Sequence, residues 1–282
     1  MKAVDVKGPC MAPIEIQIDG TIQAPADPNA LDGANQWVKI GYANFITLSG
    51  KGIFDGQGAI AWKQNDCRTN KNCKKPSMVN NITISINLKL LALVHLPKHA
   101  NELSLFCKQN FGFNFLNHSM VRDITSKDSK NFHVSVFGCN NFTFDGFNIS
   151  APETSINTDG IHVGKSTDVK ILNTSIATGD DCISLGDGSI HVTVQNVNCG
   201  PGHGISVGSL GMYTNEEPVK DLLVKYCTLT NTENGVRIKT WPNSSETYLV
   251  TDMRFEDITM VDVLNPVVID QEYCPWNHCS KQ

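Results

Sequence analysis

The chain is poor in charge, basic tails and long apolar runs. Charged residues make up 18% of its 282 residues, and a net charge of −5 argues against nucleic acid as a partner. No apolar run approaches the roughly 18 residues of a membrane span, so we expect no membrane association. The opening residues also lack the apolar core of a signal peptide, which predicts a mature or internal portion of a longer protein.

Cysteine, glycine and glycosylation sequons are plentiful instead. Ten cysteines are spread along the chain without CxxC pairs, and the 22 glycines predict frequent turns. Together with the sequons, the cysteines predict a secreted, extracellular protein. The six Asn-x-Ser/Thr sequons begin at Asn81, Asn117, Asn141, Asn148, Asn173 and Asn243.

Three residues in the second half of the chain keep a fixed interval. Asp159, Asp181 and His203 lie 22 residues apart, and each comes two places before a short apolar strand core. A repeat of about 20–50 residues built on short strands is typical of a solenoid. We therefore expect the three side chains on neighbouring coils, about 4.8 Å apart per strand spacing, where they form a site.

A second motif supports the solenoid. Its spacing is apolar-x-apolar-x-x-apolar-x-apolar, and it recurs five times between residues 142 and 260. With the first strand cores, it predicts two strands per coil and bends between them. Short β-branched strands without helices between them favour an all-β parallel β-helix over a βαβ fold. Residues 77–112 break the pattern, and their apolar stretch 86–96 fits a buried strand or a short helix equally well.

Two columns of outward positions follow from the alternation of side chains along each first strand. The glycines of one column predict a groove floor on which a polymer can lie, closed by cations at one end. Arg237 and Lys239 point the same way and suit a carboxylate or phosphate. The other column either lines the groove or belongs to a solvated face. The columns read His162, Ser184, Ser206, Arg237 and Gly164, Gly186, Gly208, Lys239.

The neighbouring acids Asp180 and Asp181 suggest the chemistry. Strict alternation points Asp181 inward, and an unpaired buried carboxylate is costly, so we expect a bend at Gly179 or Asp180. Close carboxylates suit glycosidic cleavage, in which one acid stays protonated while an ionised one activates water or attacks. Crowding raises the pKa of one member and so supplies the acid.

Four short motifs follow one another along the chain: Asn157-Thr158-Asp159-Gly160, Gly179-Asp180-Asp181, Gly202-His203-Gly204 and Arg237-Ile238-Lys239. They resemble the signature motifs of the polygalacturonases, the pectin-cleaving glycoside hydrolases. Residues 200–211 resemble the plant members, pollen forms especially, and residues 50–58 and 270–274 are also similar. The resemblance covers nearly the whole chain except residues 77–112.

The resemblance implies a right-handed parallel β-helix that hydrolyses the α-1,4 bonds of polygalacturonate with inversion, without a metal or other cofactor. It implies that Asp180 is the general acid, supported by His203, and that Asp159 and Asp181 hold and activate the attacking water. Inversion needs carboxyl groups about 6.5–9.5 Å apart, which requires side-chain splay beyond one coil step. The other implied roles are substrate binding by Arg237, Lys239, Asn157 and Tyr273 and a disulfide between Cys182 and Cys199.

Compared with this family, we expect one β-helix domain over residues 1–282 that lacks the family's opening segment and C-terminal coils, with an irregular or inserted segment at 77–112. We expect a monomer in the cell wall. The resemblance of residues 200–211 to pollen forms favours exo over endo action. Two alternatives stay open: a calcium-dependent pectate lyase, which needs a basic residue as base, and a non-catalytic wall-binding or allergenic solenoid.

Overall fold

Parallel β-strands are the main secondary structure of the described residues. The computed structural model describes residues 1–31, 33–66, 108–242, 244, 247–275 and 279. Within these residues, three sheets of nine, eight and eight strands lie side by side, and successive strands of one sheet are three elements apart in the chain. Each coil therefore gives one strand to each sheet, as in a parallel β-helix.

The strands are numbered along the chain. The first sheet comprises β1 (Val4–Lys7), β4 (Gln36–Gly41), β7 (Gln109–Asn114), β10 (Val134–Phe137), β13 (Ile161–Gly164), β16 (Ile183–Leu185), β19 (Ile205–Leu210), β22 (Asn234–Thr240) and β25 (Asn265–Asp270). The second sheet comprises β2 (Ile14–Gln17), β5 (Ile46–Ser49), β8 (Asn117–Arg122), β11 (Asn140–Asp145), β14 (Thr167–Leu172), β17 (Ile190–Gln195), β20 (Val219–Lys225) and β23 (Val250–Glu256). The third sheet comprises β3 (Thr21–Gln23), β6 (Ile53–Asp55), β9 (Thr125–Lys127), β12 (Asn148–Ser150), β15 (Ser175–Ala177), β18 (Asn198–Cys199), β21 (Thr228–Thr230) and β24 (Thr259–Val261). A 3₁₀ turn (Pro28–Leu31) and one helix, α1 (Ala59–Gln64), complete the described elements.

Each coil has three strands, so the expectation of two was wrong. The second apolar motif is split between two sheets at its two-residue gap, as between β11 and β12. At that gap one residue adopts a left-handed backbone, which turns the chain sharply enough to start a new sheet. Glycine, asparagine and aspartate tolerate this conformation best, and Gly146, Asn173, Asn196 and Asp257 occupy it with φ of 65°, 51°, 55° and 52°.

The apolar positions of both motifs form one continuous core. Its centre is a cluster of buried phenylalanines, in which the rings of Phe111 and Phe113 stack at 5.7 Å and Phe142 and Phe144 meet edge to face at 5.0 Å. Burying one such side chain contributes about 1.5–3 kcal/mol. In the last described coil the core column is open, and Ile269 is 72% exposed.

Of the irregular segment expected at 77–112, residues 77–107 lie outside the described residues. Residues 109–112 belong to β7. The sequons at Asn81 and Asn243 also lie outside the described residues. Among the residues that the structure does describe, no helix is long and apolar enough to cross a membrane.

Candidate active site on the first sheet

The expected column is present on the outer face of the first sheet. In the register of β13, β16, β19 and β22, His162 pairs with Ser184, Ser184 with Ser206, and Ser206 with Arg237. One step before these strands, the N–H of Gly160 donates to the carbonyl of Asp181 at 2.9 Å. Successive coils therefore place their site residues side by side, and the predicted stacking is confirmed.

Asp180 and Asp181 reach this face because the chain bends just before β16. The bend lies at Gly179 and Asp180, as predicted. A Cβ on Gly179 would lie 1.9 Å from the carbonyl oxygen of Ser155, so any side chain at this position would clash with the preceding coil. The N–H of Gly179 donates to Oγ1 of the buried Thr158 at 2.9 Å, which ties the bend to the preceding coil.

Asp181 is held by two cations. Its side chain is 1% exposed, with Nη2 of Arg237 2.9 Å from Oδ1 and Nζ of Lys239 2.7 Å from Oδ2. The hydroxyl of Ser206 donates to Oδ1 at 2.8 Å and accepts from Nε of Arg237 at 3.2 Å. Burial acts to lower the pKa of Lys239, but the charge and hydrogen bond of Asp181, together with Tyr273, raise that pKa. Both cations thus face Asp181, while Nη1 of Arg237 takes no part in these bonds.

Asp180 is paired with His203. Nδ1 of His203 lies 3.1 Å from Oδ1 of Asp180, and Nε2 lies 3.3 Å from Oε2 of Glu233. Burial acts to lower the pKa of His203, but the neighbouring carboxylates outweigh it and raise that pKa. Burial likewise acts to raise the pKa of Asp180, but the hydrogen bond and charge of His203, together with the charge of Lys239 and the N–H of Asp181, leave that pKa below its usual value. The pair therefore rests as a carboxylate and an imidazolium.

Gly204 fixes the position of His203. Its φ is +84°, and a Cβ there would lie 2.0 Å from the carbonyl oxygen of Asn234 on the next coil. The N–H of His203 donates to the carbonyl of Asp180 at 2.8 Å. The backbone thus holds the imidazole against Asp180 before any side-chain contact is counted.

Asp159 is the carboxyl that most readily keeps a proton. Burial, followed by the charges of Asp180 and Asp181, raises the pKa of Asp159 well above its usual range. Its Oδ2 accepts from the hydroxyl of Ser184 at 3.1 Å, and that hydroxyl lies 2.8 Å from Nδ1 of His162. Burial lowers the pKa of His162 to about 4, so its ring is neutral.

The raised pKa of Asp159 predicts a stability that depends on pH. A folded-state pKa above the unfolded one stabilises the fold below about pH 4, and this contribution is lost as the pH rises through the folded-state pKa. Asp159→Asn keeps the neutral form at every pH. It is expected to lose less stability than the wild type between about pH 4 and pH 7, by on the order of 1 kcal/mol. Urea unfolding at both pH values measures this, and equal losses would contradict it.

The other residues expected at the site surround this cluster. Nδ2 of Asn157 donates to Oδ1 of Asn131 on the preceding coil at 3.1 Å. The ring of Tyr273 is centred 5.0 Å from Nζ of Lys239 and 6.0 Å from Cζ of Arg237. The expected glycine floor is partly covered, because a Cβ on Gly186 would lie only 3.2 Å from Nε2 of His162.

Cys182 and Cys199 form a disulfide directly after Asp181, with an S–S length of 2.06 Å and a separation of 17 residues. Cys274 and Cys279 form another across 5 residues.

Cross-linking the longer loop removes more entropy from the unfolded chain. Cys199→Ala is expected to lower the free energy of unfolding by about 2–4 kcal/mol. Cys274→Ala, the matched control, is expected to cost about 1 kcal/mol less. Urea unfolding of both variants measures this, and equal costs would contradict the loop argument.

Asp180, Asp181 and His203 offer oxygen and nitrogen atoms within 4.8 Å of one another, a set that could hold a metal ion. However, Asp181 already pairs with both Arg237 and Lys239, which leaves a net positive charge beside it. A metal ion would have to displace both cations or be repelled by them. The charges present therefore fit a metal poorly.

Two contacts lie beyond the reach of the motifs. Glu233 lies 30 residues after His203, outside the 22-residue interval, because the intervening loop is longer. Ser184 was assigned to the outward column without a partner. Its bond to Asp159 does not follow from the register, which pairs Ser184 with His162.

The sequence matches the family Glycosyl hydrolases family 28 over residues 1–110 and 99–282. It is 58% identical over 282 residues to a polygalacturonase of Medicago sativa, covering 100% of this chain and 61% of that protein. It is 49% identical to an exopolygalacturonase of Oenothera organensis, covering 99% of this chain and 68% of that protein. The chain thus spans about three fifths to two thirds of these relatives' lengths.

Solved structures show the same fold. An exopolygalacturonase from Thermotoga maritima superposes with a TM-score of 0.70 at 16% identity, over 96% of this chain and 66% of that one. A polygalacturonase from Erwinia carotovora gives a TM-score of 0.66 at 22% identity, over 97% of this chain and 70% of that one. The prediction of a right-handed parallel β-helix is confirmed.

Proposed function

The chain belongs to Glycosyl hydrolases family 28, and from this premise we propose that its outer-face cluster hydrolyses the α-1,4-glycosidic bonds of polygalacturonate. One observation carries the proposal most directly. Asp159, Asp180 and Asp181 meet on two adjacent coils, and their surroundings push the pKa of Asp159 and that of Asp180 in opposite directions. Paired carboxyls with separated pKa values are what acid–base cleavage of a glycoside requires.

In the proposed reaction Asp180 protonates the leaving oxygen. The proton comes from Nδ1 of His203, which lies 3.1 Å from Oδ1 of Asp180. When substrate displaces water from the site, the ion pair loses solvation and the neutral form of both partners becomes more favourable. The proton then moves to Asp180, and from Asp180 to the oxygen of the broken bond.

Asp159 and Asp181 activate the water in this proposal. Asp181, fixed in place by its ion pairs with Arg237 and Lys239, orients the water and stabilises positive charge at the reacting carbon. Asp159 is raised in pKa partly by the charge of Asp180. Protonation of Asp180 removes that charge and makes Asp159 a stronger acid, so Asp159 releases its proton to solvent as its neighbour becomes neutral. It can then accept the proton of the attacking water.

Inversion remains part of the proposal on family grounds. Asp180 and Asp181 each have an oxygen within 4.8 Å of the other, closer than the about 6.5–9.5 Å usual for inverting enzymes. The geometry of this pair therefore gives inversion no support. Proton NMR of the first product formed tests it, since inversion of an α-linkage yields the β-anomer and retention the α-anomer.

We place the galacturonate carboxylate against Arg237 and Tyr273. Arg237 keeps Nη1 for a further acceptor while Nη2 holds Asp181, and the Tyr273 ring forms the adjoining wall. Lys239 adds charge from behind because it is nearly buried. Asn157 completes the proposed contact set at the other end of the cluster.

Digestion of polygalacturonate in the presence of a chelator tests the reaction class. Hydrolysis is expected, with new reducing ends and no ultraviolet-absorbing unsaturated products. Unsaturated products that require calcium would instead identify a lyase. Binding to polygalacturonate without any cleavage would leave only a wall-binding role.

We further propose that this chain is a secreted, monomeric protein of the cell wall and that it acts in exo fashion. The exopolygalacturonase name of the Oenothera organensis relative supports exo action by similarity. The exposed sequons Asn117, Asn148 and Asn173 suit a secretory route. The size profile of early products decides the mode of action, because monomer release indicates exo and mixed oligomers indicate endo attack. Sedimentation measures the oligomeric state.

A further inference from the structure

Glu233 is the one charged residue of the cluster that the family motifs do not include. It lies directly before β22, and its backbone is fixed from both sides. Its N–H donates to the carbonyl of Gly202 at 2.9 Å, and its carbonyl accepts from the N–H of Asn265 at 3.0 Å. The stacking of the coils thus places Glu233 beside the segment that carries His203.

The imidazole of His203 lies between two carboxylates. Nδ1 faces Asp180 at 3.1 Å and Nε2 faces Glu233 at 3.3 Å. A carboxylate only accepts hydrogen bonds, and a neutral imidazole has a single N–H. Both contacts are favourable only when the two ring nitrogens carry protons, so this geometry selects the imidazolium.

We propose that Glu233 is a positioning residue for the catalytic acid: it holds His203 as an imidazolium whose Nδ1 proton becomes the proton that Asp180 delivers. The proposal rests on the hydrolysis proposed above. The proton leaves Nδ1 for Asp180, Asp180 releases it to the leaving oxygen, and the neutral imidazole regains a proton from solvent after the products leave. Glu233 itself neither touches the substrate nor changes its own protonation state.

The size of the effect follows from the position of Glu233. The charged groups that face His203 are Asp180 and Asp181 on the preceding coil and Glu233 on the following one. Because the side chain of Glu233 is 52% exposed, solvent screens its charge. An exposed pair is worth about 0.2–1 kcal/mol, which corresponds to a shift of roughly 0.2–0.7 pH units in the titration of His203.

Glu233→Gln tests the proposal, because its amide oxygen can still accept from Nε2 while the charge is lost. The control is Glu256→Gln, which removes one charge from an exposed pair with Arg254 at 3.7 Å. Nitrogen NMR of the histidine rings follows the titration, with the His203 signal assigned by its loss in His203→Gln. The midpoint of His203 is expected to fall by roughly 0.2–0.7 pH units in Glu233→Gln and to stay unchanged in the control.

The alkaline limb of kcat/KM for polygalacturonate is the second readout. It is expected to move down by the same amount in Glu233→Gln, and both shifts should shrink near 1 M salt, where the Debye length is about 3 Å. An unshifted His203 midpoint would overturn the role of Glu233. A shifted midpoint with an unshifted alkaline limb would overturn the link to the acid. If the wild type proves inactive, the proposed hydrolysis fails, while the NMR titration still decides whether Glu233 holds the imidazolium.

Discussion

Replacing Asp180 with Asn is expected to lower kcat for polygalacturonate hydrolysis by about 10²–10⁴-fold, with little effect on stability. The loss follows because an amide cannot deliver a proton to the leaving oxygen, and general acid catalysis contributes factors of this size. The fold should persist because Oδ1 of the amide can still accept from His203 and from the N–H of Asp181, the contacts that Oδ1 makes now.

The matched control for this change is Asp168→Asn, which alters an exposed aspartate paired with His191 at 3.6 Å, far from the first-sheet cluster in the fold. Reducing-end release by the two variants and the wild type provides the measurement. The control should keep wild-type kcat. Equal rates for Asp180→Asn and the wild type would refute the catalytic role of Asp180, and would leave polymer binding as the function to pursue.

Replacing Asp181 with Asn is expected to produce the largest loss of stability, about 3–5 kcal/mol of unfolding free energy. Two nearly buried cations, Arg237 and Lys239, now pair with this carboxylate at 2.9 and 2.7 Å. The amide would leave them without a counter-charge, and its NH₂ group would face one of them. Removing one partner of a buried ion pair costs far more than removing an exposed one, since the remaining charge stays desolvated.

Asp187→Asn is the control for this effect. Asp187 pairs with Lys165 at the surface, where both side chains are more than a fifth exposed, so its loss should cost about 1 kcal/mol or less. Urea unfolding at neutral pH compares the two variants. A cost below about 1 kcal/mol for Asp181→Asn would show that Arg237 and Lys239 find other partners.

The sequence predicted which side chains lie together better than it predicted the number of strands in each coil. The interval joining Asp159, Asp181 and His203 identified their neighbourhood because the side-chain spacing of stacked strands is fixed by backbone hydrogen bonds. The third strand of each coil was missed because its boundary is a single left-handed residue such as Asn173, which leaves the apolar spacing almost unchanged.

The partners of the two cations were also beyond prediction. Alternation along β22 indicates on which face Arg237 and Lys239 lie, but not which group a long side chain will reach. The structure shows that both reach Asp181, although Asp159 is also a buried carboxylate near Lys239. Glu233 escaped notice for a different reason: a lengthened loop separates it from His203, and no interval then marks it.

That lengthened loop has a consequence for how such proteins diversify. Ser184 and Ser206 are 22 residues apart and Ser206 and Arg237 are 31 apart, yet both pairs are in register. The additional residues leave the coil after β19 as a loop, in which the carboxylate of Glu216 accepts from the N–H groups of Gly211 and Tyr213 at 2.7 and 2.9 Å. The loop is also tied to its surroundings, since the hydroxyl of Tyr248 donates to the carbonyl of Tyr213 at 2.8 Å. Insertions and deletions there lengthen or shorten the loop while β19 and β22 keep their pairing. Natural selection, or a protein engineer, can therefore exchange this segment while the strands that carry the cluster stay in place.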